Sequence, residues 1–307
     1  MRSVTEHLEL VLSDAVASAP LEVSLLGTVG CVLAQDVEVD DDGETRQTLL
    51  TRGTVVAPRH VALMAAAGMA QALVHPKPRV VIVTVGDDLG EPGEGDLRPD
   101  VNGLSLTAAA VAVGAMAYRV GPLPSDIDAV STSLEDQLVR ADIIVAACGM
   151  SARDYDLLTT VLTGMGDVDF VRVGMQPGSA QGFGYIGPDR TPIFVLPANP
   201  VGTLLSFELY VRPLIRRLAG RVAIHHRTMQ LPTATALDSV VGETRYIRAV
   251  VEARAGTLTA VSVEGNDEHP LAGLGTSDAV IVLGPDQGPV SAGELVTVMR
   301  TDDEADG

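Results

Sequence analysis

Beyond residue 78 the chain alternates short, continuous apolar runs with longer segments whose apolar positions recur every three or four residues. The runs at 80–83, 116–120, 142–147, 170–173 and 193–196 predict strands, and the segments at 103–113, 127–140, 156–163 and 201–218 predict helices. Such alternation implies a doubly wound α/β domain over 79–219, with a mostly parallel sheet between two helical layers. Upstream, 4–17 reads as an amphipathic helix with Ser3 as N-cap and Glu6 completing a capping box. Residues 25–39 suit a helical turn leading into extended chain, DDDGE at 40–44 is a polar, turn-like break, and Pro58 opens a helix that Gly68 closes. These make a helical and extended N-terminal segment, 1–78. After Gly220 the segments at 246–253, 258–263, 279–283 and 295–299 are short and β-like, separated by Gly, Pro and Asp, which predicts a small all-β domain over 220–301. The acidic residues 302–307 read as a disordered tail.

With 307 residues, 46% hydrophobic and 20% charged, the chain has enough apolar residues for two or three ordinary packed domains. Its net charge of −19 argues against a sequence-independent nucleic-acid surface and against an anionic-membrane patch. Lys77 is the only lysine, so arginine must supply nearly every positive contact. Cys31 and Cys148 stand alone, which indicates neither a disulfide framework nor a zinc site. The opening MRSVTEHLEL has acids where a signal peptide needs its apolar core, and the weakly polar stretch 61–74 is too short to span a bilayer. A cytoplasmic location is therefore expected.

The candidate chemistry lies at two strand ends. In ADIIVAACGMSARDYDL (141–157) an apolar run ends at Cys148-Gly149, and Ser151, Asp154 and Asp156 then open a helix. In RVVIVTVGDDL (79–89) a similar run ends at a glycine followed by Asp87 and Asp88. Two such turns can meet in one crevice at the carboxyl ends of a parallel sheet, where helix N-termini favour phosphates and oxygen ligands suit Mg²⁺. Solvated loops with helix-capping acids explain the same pattern.

Four ordered motifs resemble the MoeA proteins of molybdenum-cofactor biosynthesis, related to the gephyrin E domain. They are TVGDDL (like TGDEL), PDVNG (like DSN), CGMSARDYDL (like GGVSxGDYDL) and LPANPVGTLLSFELYVRP (like LPGNPVSAxxxFExFVRP), and the likeness runs over nearly the whole chain. The resemblance implies a central domain that binds adenylylated molybdopterin, Mg²⁺ and molybdate as a homodimer. By the same resemblance Asp87 and Asp154 are catalytic, and Asp87, Asp88 and Asp154 handle metal. Asn102, Gly149, Ser151, Asp156, Gly178, Pro197, Asn199 and Pro200 are the matching ligand-binding positions, whereas His225 and His226 read as surface residues.

The departures from that pattern also carry information. The family's β-rich inserted domain, with its DNSAMDGYA-type motif, is replaced between Val37 and Gly53 by a short polar loop. Its K-P-G-K-P becomes Gln176-Pro177-Gly178-Ser179-Ala180, without either lysine. Each charged hydrogen bond to an anion contributes about 1.5–3 kcal/mol, so the loss calls for replacement, with Arg153 or Arg172 as candidates. Two readings follow. One is a molybdopterin molybdenumtransferase; the other is a catalytically degenerate paralogue serving as a dimeric scaffold, as a protein-binding module, or as partner of a full-length relative that lends the absent domain.

Overall fold

The computed structural model of the protein describes residues 1–41, 45–93, 95–149, 151–254, 256–264 and 271–301. Helix α1 (Val4–Leu12) starts at Ser3, whose hydroxyl accepts from the Glu6 amide while the Glu6 carboxylate accepts from the Ser3 amide. The capping box is thus formed. The helix stops at Leu12 rather than at 17, because the amide and hydroxyl of Ser13 both turn back onto the Leu10 carbonyl. Strands β1 (Leu21–Ser24) and β2 (Val32–Leu33) follow, then a hairpin of β3 (Val37–Asp41) and β4 (Thr45–Leu50). The stretch expected to be a plain polar loop is therefore a paired ribbon; the tip, 42–44, lies outside the described residues. Helix α2 (Pro58–Ala66) packs beside β5 (Gln71–His75), and the order β1-β5-β2 makes a small antiparallel sheet.

Next come β6 (Arg79–Val85), the short parallel pair β7 (Leu89–Gly90) and β8 (Arg98–Pro99), α3 (Val101–Ala112), β9 (Met116–Leu123), α4 (Ile127–Leu138), β10 (Ile143–Cys148) and α5 (Ala152–Met165). After them come β11 (Gly166–Arg172), β12 (Met175–Gln176), β13 (Ala180–Ile186) and β14 (Thr191–Leu196). The central sheet has the order β11-β13-β14-β10-β6-β9. Its β14-β10-β6-β9 portion is parallel, and β11 and β13 extend it antiparallel. Nearly every residue of β6 and all of β10 are buried, as expected for parallel strands covered on both faces. Val80 and Ile82 pack in one cluster with Leu106 of α3 and Val11 of α1; Val81 and Val83 pack in another with Leu134 of α4 and Leu158 of α5. The expected three-layer α/β architecture results.

The last helix is not one uniform rod. It runs as α6 (Pro200–Ser206), a π-helical turn (Phe207–Val211) and α7 (Arg212–Leu218). The C-terminal region holds β15 (Thr228–Pro232), β16 (Thr244–Arg254), β17 (Thr257–Ser262), β18 (Ala279–Leu283) and β19 (Leu295–Arg300). They form a sheet in the order β12-β16-β18-β19-β15, with β17 paired to β16. Strand β12 comes from the central part of the chain and pairs parallel with β16, Met175 opposite Thr244 and Gln176 opposite Arg245. This pairing carries the C-terminal sheet to the edge of the crevice. Residues 302–307, expected to be a disordered tail, lie outside the described residues.

Candidate functional site

From β6 the chain passes to β9 on one side and later to β10 on the other, so the carboxyl ends of β6 and β10 flank the switch point where such sheets bind ligands. Their turns are joined directly, the Gly149 amide donating to the Val85 carbonyl at 2.9 Å. A Cβ on Gly149 would lie 2.9 Å from Asp154 Oδ2 and 3.0 Å from Asp88 Oδ1. Both carboxylates therefore converge on this glycine, and only its missing side chain leaves room for them. Asp154 is buried in the first turn of α5. Its Oδ1 accepts from the Ser125 hydroxyl at 2.5 Å. Asp88 is ion-paired to Arg98 at 2.8 Å. Asp87 is exposed, and its Oδ1 accepts from the Ser125 amide at 2.8 Å. Ser125 thus ties the two acidic turns together, a role its place in a Pro-Ser-Asp loop gave no reason to expect.

Among the described residues no three His, Cys, Asp or Glu side chains are grouped to hold a metal ion. The expected trio of Asp87, Asp88 and Asp154 is not assembled, because Asp87 caps the Ser125 turn. Asp88 and Asp154 remain a facing pair. One or two carboxylates completed by substrate phosphates and water are the usual protein contribution to Mg²⁺.

The opposite wall is built by α3. Asp100, almost wholly buried, caps the helix through the Gly103 amide at 2.9 Å and accepts from the Thr84 hydroxyl at 2.8 Å. It also receives Nε and Nη2 of Arg119 at 3.1 and 2.8 Å. Burial works against the Arg119 charge, and the bonds to Asp100 and Glu91 outweigh it, holding the guanidinium above its ordinary range. Asn102 donates to the Ala198 carbonyl at 2.8 Å, while its Oδ1 is buried with no partner among the described residues. Asn199 caps α6 by accepting from the amides of Val201 and Gly202. Gly178, at φ +93°, lies against Gly202 at the start of that helix, and the Pro197 carbonyl accepts from the Thr203 hydroxyl. These two shape the wall from behind.

Between the walls lies a cavity of about 690 Å³ lined by Asn102, Gly149, Asn199 and Pro200 among the expected positions. Cys148 also lines it. Burial, and then the Asp154 carboxylate, push this thiol up to about 11, so it stays uncharged near neutral pH. Ser151 and Asp156 are exposed on α5 and do not line the cavity. Nor do the two arginines expected to replace the lysines. Arg153 faces a separate shallow pocket beside Asp126 and Asp128, and Arg172 lies near Met1 and Arg2.

The cations that do line the cavity are Arg98, Arg245 and Arg248. The last two come from β16, placed there by its pairing with β12. Arg245 is engaged by the Asp238 carbonyl and by Glu264 at 3.8 Å. Arg248 has Nε and Nη1 buried with no partner among the described residues. Sequence spacing hid these residues, because they lie far along the chain from both acidic turns, in a region that reads as an ordinary strand. A further surprise is His226, whose side chain is almost wholly buried and bonded to Glu208 Oε2 at 2.6 Å, whereas a surface residue was expected. No helix of the described residues is long and apolar enough to cross a membrane.

Comparison with known proteins follows these divisions. The family described as "Probable molybdopterin binding domain" matches residues 81–217, and "MoeA C-terminal region (domain IV)" matches 230–300. Molybdopterin molybdenumtransferase 1 of Mycobacterium tuberculosis is 34% identical over 273 residues, covering 84% of this chain and 62% of that protein. Molybdopterin molybdenumtransferase of Bacillus subtilis is 27% identical over 268 residues, again covering 62% of its own length. The chain thus spans less than two thirds of these curated relatives. A molybdopterin biosynthesis MoeA protein from Pyrococcus horikoshii superposes with a TM-score of 0.78 at 17% identity, covering 98% of this chain and all of that one, which shows the shared fold. Both ordered domains, the curated relatives and the fold agree: the chain is a member of the MoeA-type family.

Proposed function

We propose that this protein acts in molybdenum-cofactor biosynthesis by binding adenylylated molybdopterin in the cavity between α3, the 198–200 turn and β16, and by presenting it to molybdate. The observation that carries this reading is Arg248. A guanidinium whose Nε and Nη1 are buried with no partner among the described residues carries an unmet demand for an acceptor, and burying a charge without a partner is costly. The phosphates of a pterin nucleotide meet that demand. Asn102 Oδ1, also buried and without a partner among the described residues, asks for a donor from the same ligand. Arg248 and Arg245 then take the part of the missing lysines. Asp88 and Asp154 would hold Mg²⁺ together with phosphate oxygens, and the metal would offset negative charge beside the acids. Incubation with adenylylated molybdopterin, molybdate and Mg²⁺ tests the reading: AMP release above the protein-free rate supports it, and none counts against turnover.

One feature favours the second reading, a dimeric scaffold or a partner of a longer relative. Helix α3 exposes Val101, Leu104 and Val111 beside Met116, and Val101 also borders the cavity. A second chain seated on this stripe would cover apolar surface and close the site.

A further inference from the structure

A smaller chamber of about 190 Å³ opens beyond the main cavity and shares Pro177, Val201, Tyr246 and Arg248 with it. Its other walls include Leu204 and Leu205 of α6, Val280 and Met299 of the C-terminal sheet, and one carboxylate, Glu208. Whole small-molecule ligands occupy roughly 300–1,000 Å³, so this chamber has room for one end of a ligand whose remainder lies in the main cavity.

Glu208 is held as a fixed acceptor. Its Oε2 takes His226 Nε2 at 2.6 Å and lies 3.6 Å from Arg212 Nε. Its Oε1 has no partner among the described residues. The π-helical turn that carries it is of a kind concentrated at functional sites. Burial raises the Tyr246 phenol well above its ordinary range, so at the junction of the chambers it remains a neutral hydroxyl on an aromatic face. Apolar walls, an aromatic edge and a single pinned carboxylate suit a flat heteroaromatic ring that presents an N–H donor. Arg248, shared by both chambers, sits where a phosphate tethered to that ring would fall.

Resting on the cavity's reading as a ligand site, we infer that this chamber is the ring subsite, taking a bicyclic heteroaromatic ring with an exocyclic amine whose N–H donates to Glu208 Oε1. Two sources share that chemistry, a pterin and an adenine. Titrations of the full chain with pterin-6-carboxylate, AMP and inorganic pyrophosphate separate them. The wild type is expected to bind one of the ring compounds saturably. In Glu208→Gln the affinity for that compound relative to pyrophosphate should fall roughly ten- to hundredfold, because a charged acceptor is lost. Leu204→Trp, which narrows the chamber and keeps the Glu208 carboxylate, should lower the same ratio, so the test survives if the first variant fails to fold. Failure of both ring compounds to bind the wild type overturns the inference, and so does an unchanged ratio in folded variants. Pyrophosphate binding without ring binding removes this inference and leaves the phosphate site standing; if nothing binds, both fall.

Discussion

At the residue scale, two buried groups make contrasting predictions. His7 of α1 lies edge-on to Tyr210, with its ring centroid 4.7 Å away, and its Nε2 has no partner among the described residues. Burial first, and then Arg2, hold its imidazole down to about 4 against an ordinary 6.5. Below pH 6.5 the unfolded chain takes up a proton that the folded chain refuses, so stability falls as pH drops from 6.5 towards 4. The slope contributed by His7 is at most about 1.4 kcal/mol per pH unit. Urea melts across this window should show a decline that His7→Leu flattens; identical slopes in both proteins would refute it. Cys148, protonated and only 3% exposed where it lines the cavity, should react with iodoacetamide at pH 7 far more slowly than a free thiol. Rapid labelling under native conditions would contradict the placement.

At the element scale, the acidic turns depend on what holds them. Asp100 caps α3 and neutralises Arg119, so Asp100→Asn leaves a half-paired guanidinium; a loss of about 3–5 kcal/mol is expected, measured by denaturant unfolding. Gly149→Ala places a Cβ about 3 Å from two carboxylate oxygens and should cost about 1–3 kcal/mol by the same assay. No change in either variant would mean the turns are looser than described. How far these elements could be foreseen differs with the physics involved. The strands at β6 and β10 were legible because parallel strands buried on both faces leave unbroken apolar runs. Strand β13 was not, since Gly182 and Gly184 interrupt the apolar pattern of AQGFGYI; in the sheet those glycines admit Val195 and the Asp167 backbone where a Cβ would clash. The turn acids stood out as residues after apolar runs, and Asn199 through the family resemblance. Ser125, Glu208 and Arg248 did not, because each acquires its role from an element distant in sequence.

At the scale of the whole molecule, the chain keeps the family's central and C-terminal parts and holds a short hairpin where the resemblance leads one to expect a further domain. The α3 stripe next to the cavity makes a homodimer the expected assembly, and light scattering that returned only a 31.9 kDa monomer at micromolar concentration would contradict it. Neither outcome decides whether the cavity holds its ligand. Ligand binding in the cavity depends on Arg248, whose Nε and Nη1 are buried without a partner among the described residues and which the pairing of β12 with β16 brings to the crevice. Calorimetric titration of adenylylated molybdopterin with Mg²⁺ into the wild type and into Arg248→Gln tests it directly. Saturable binding by the wild type and a roughly ten- to hundredfold loss in the variant are expected; no binding by the wild type, or equal affinity in both proteins, would overturn the assignment of Arg248 to the phosphates.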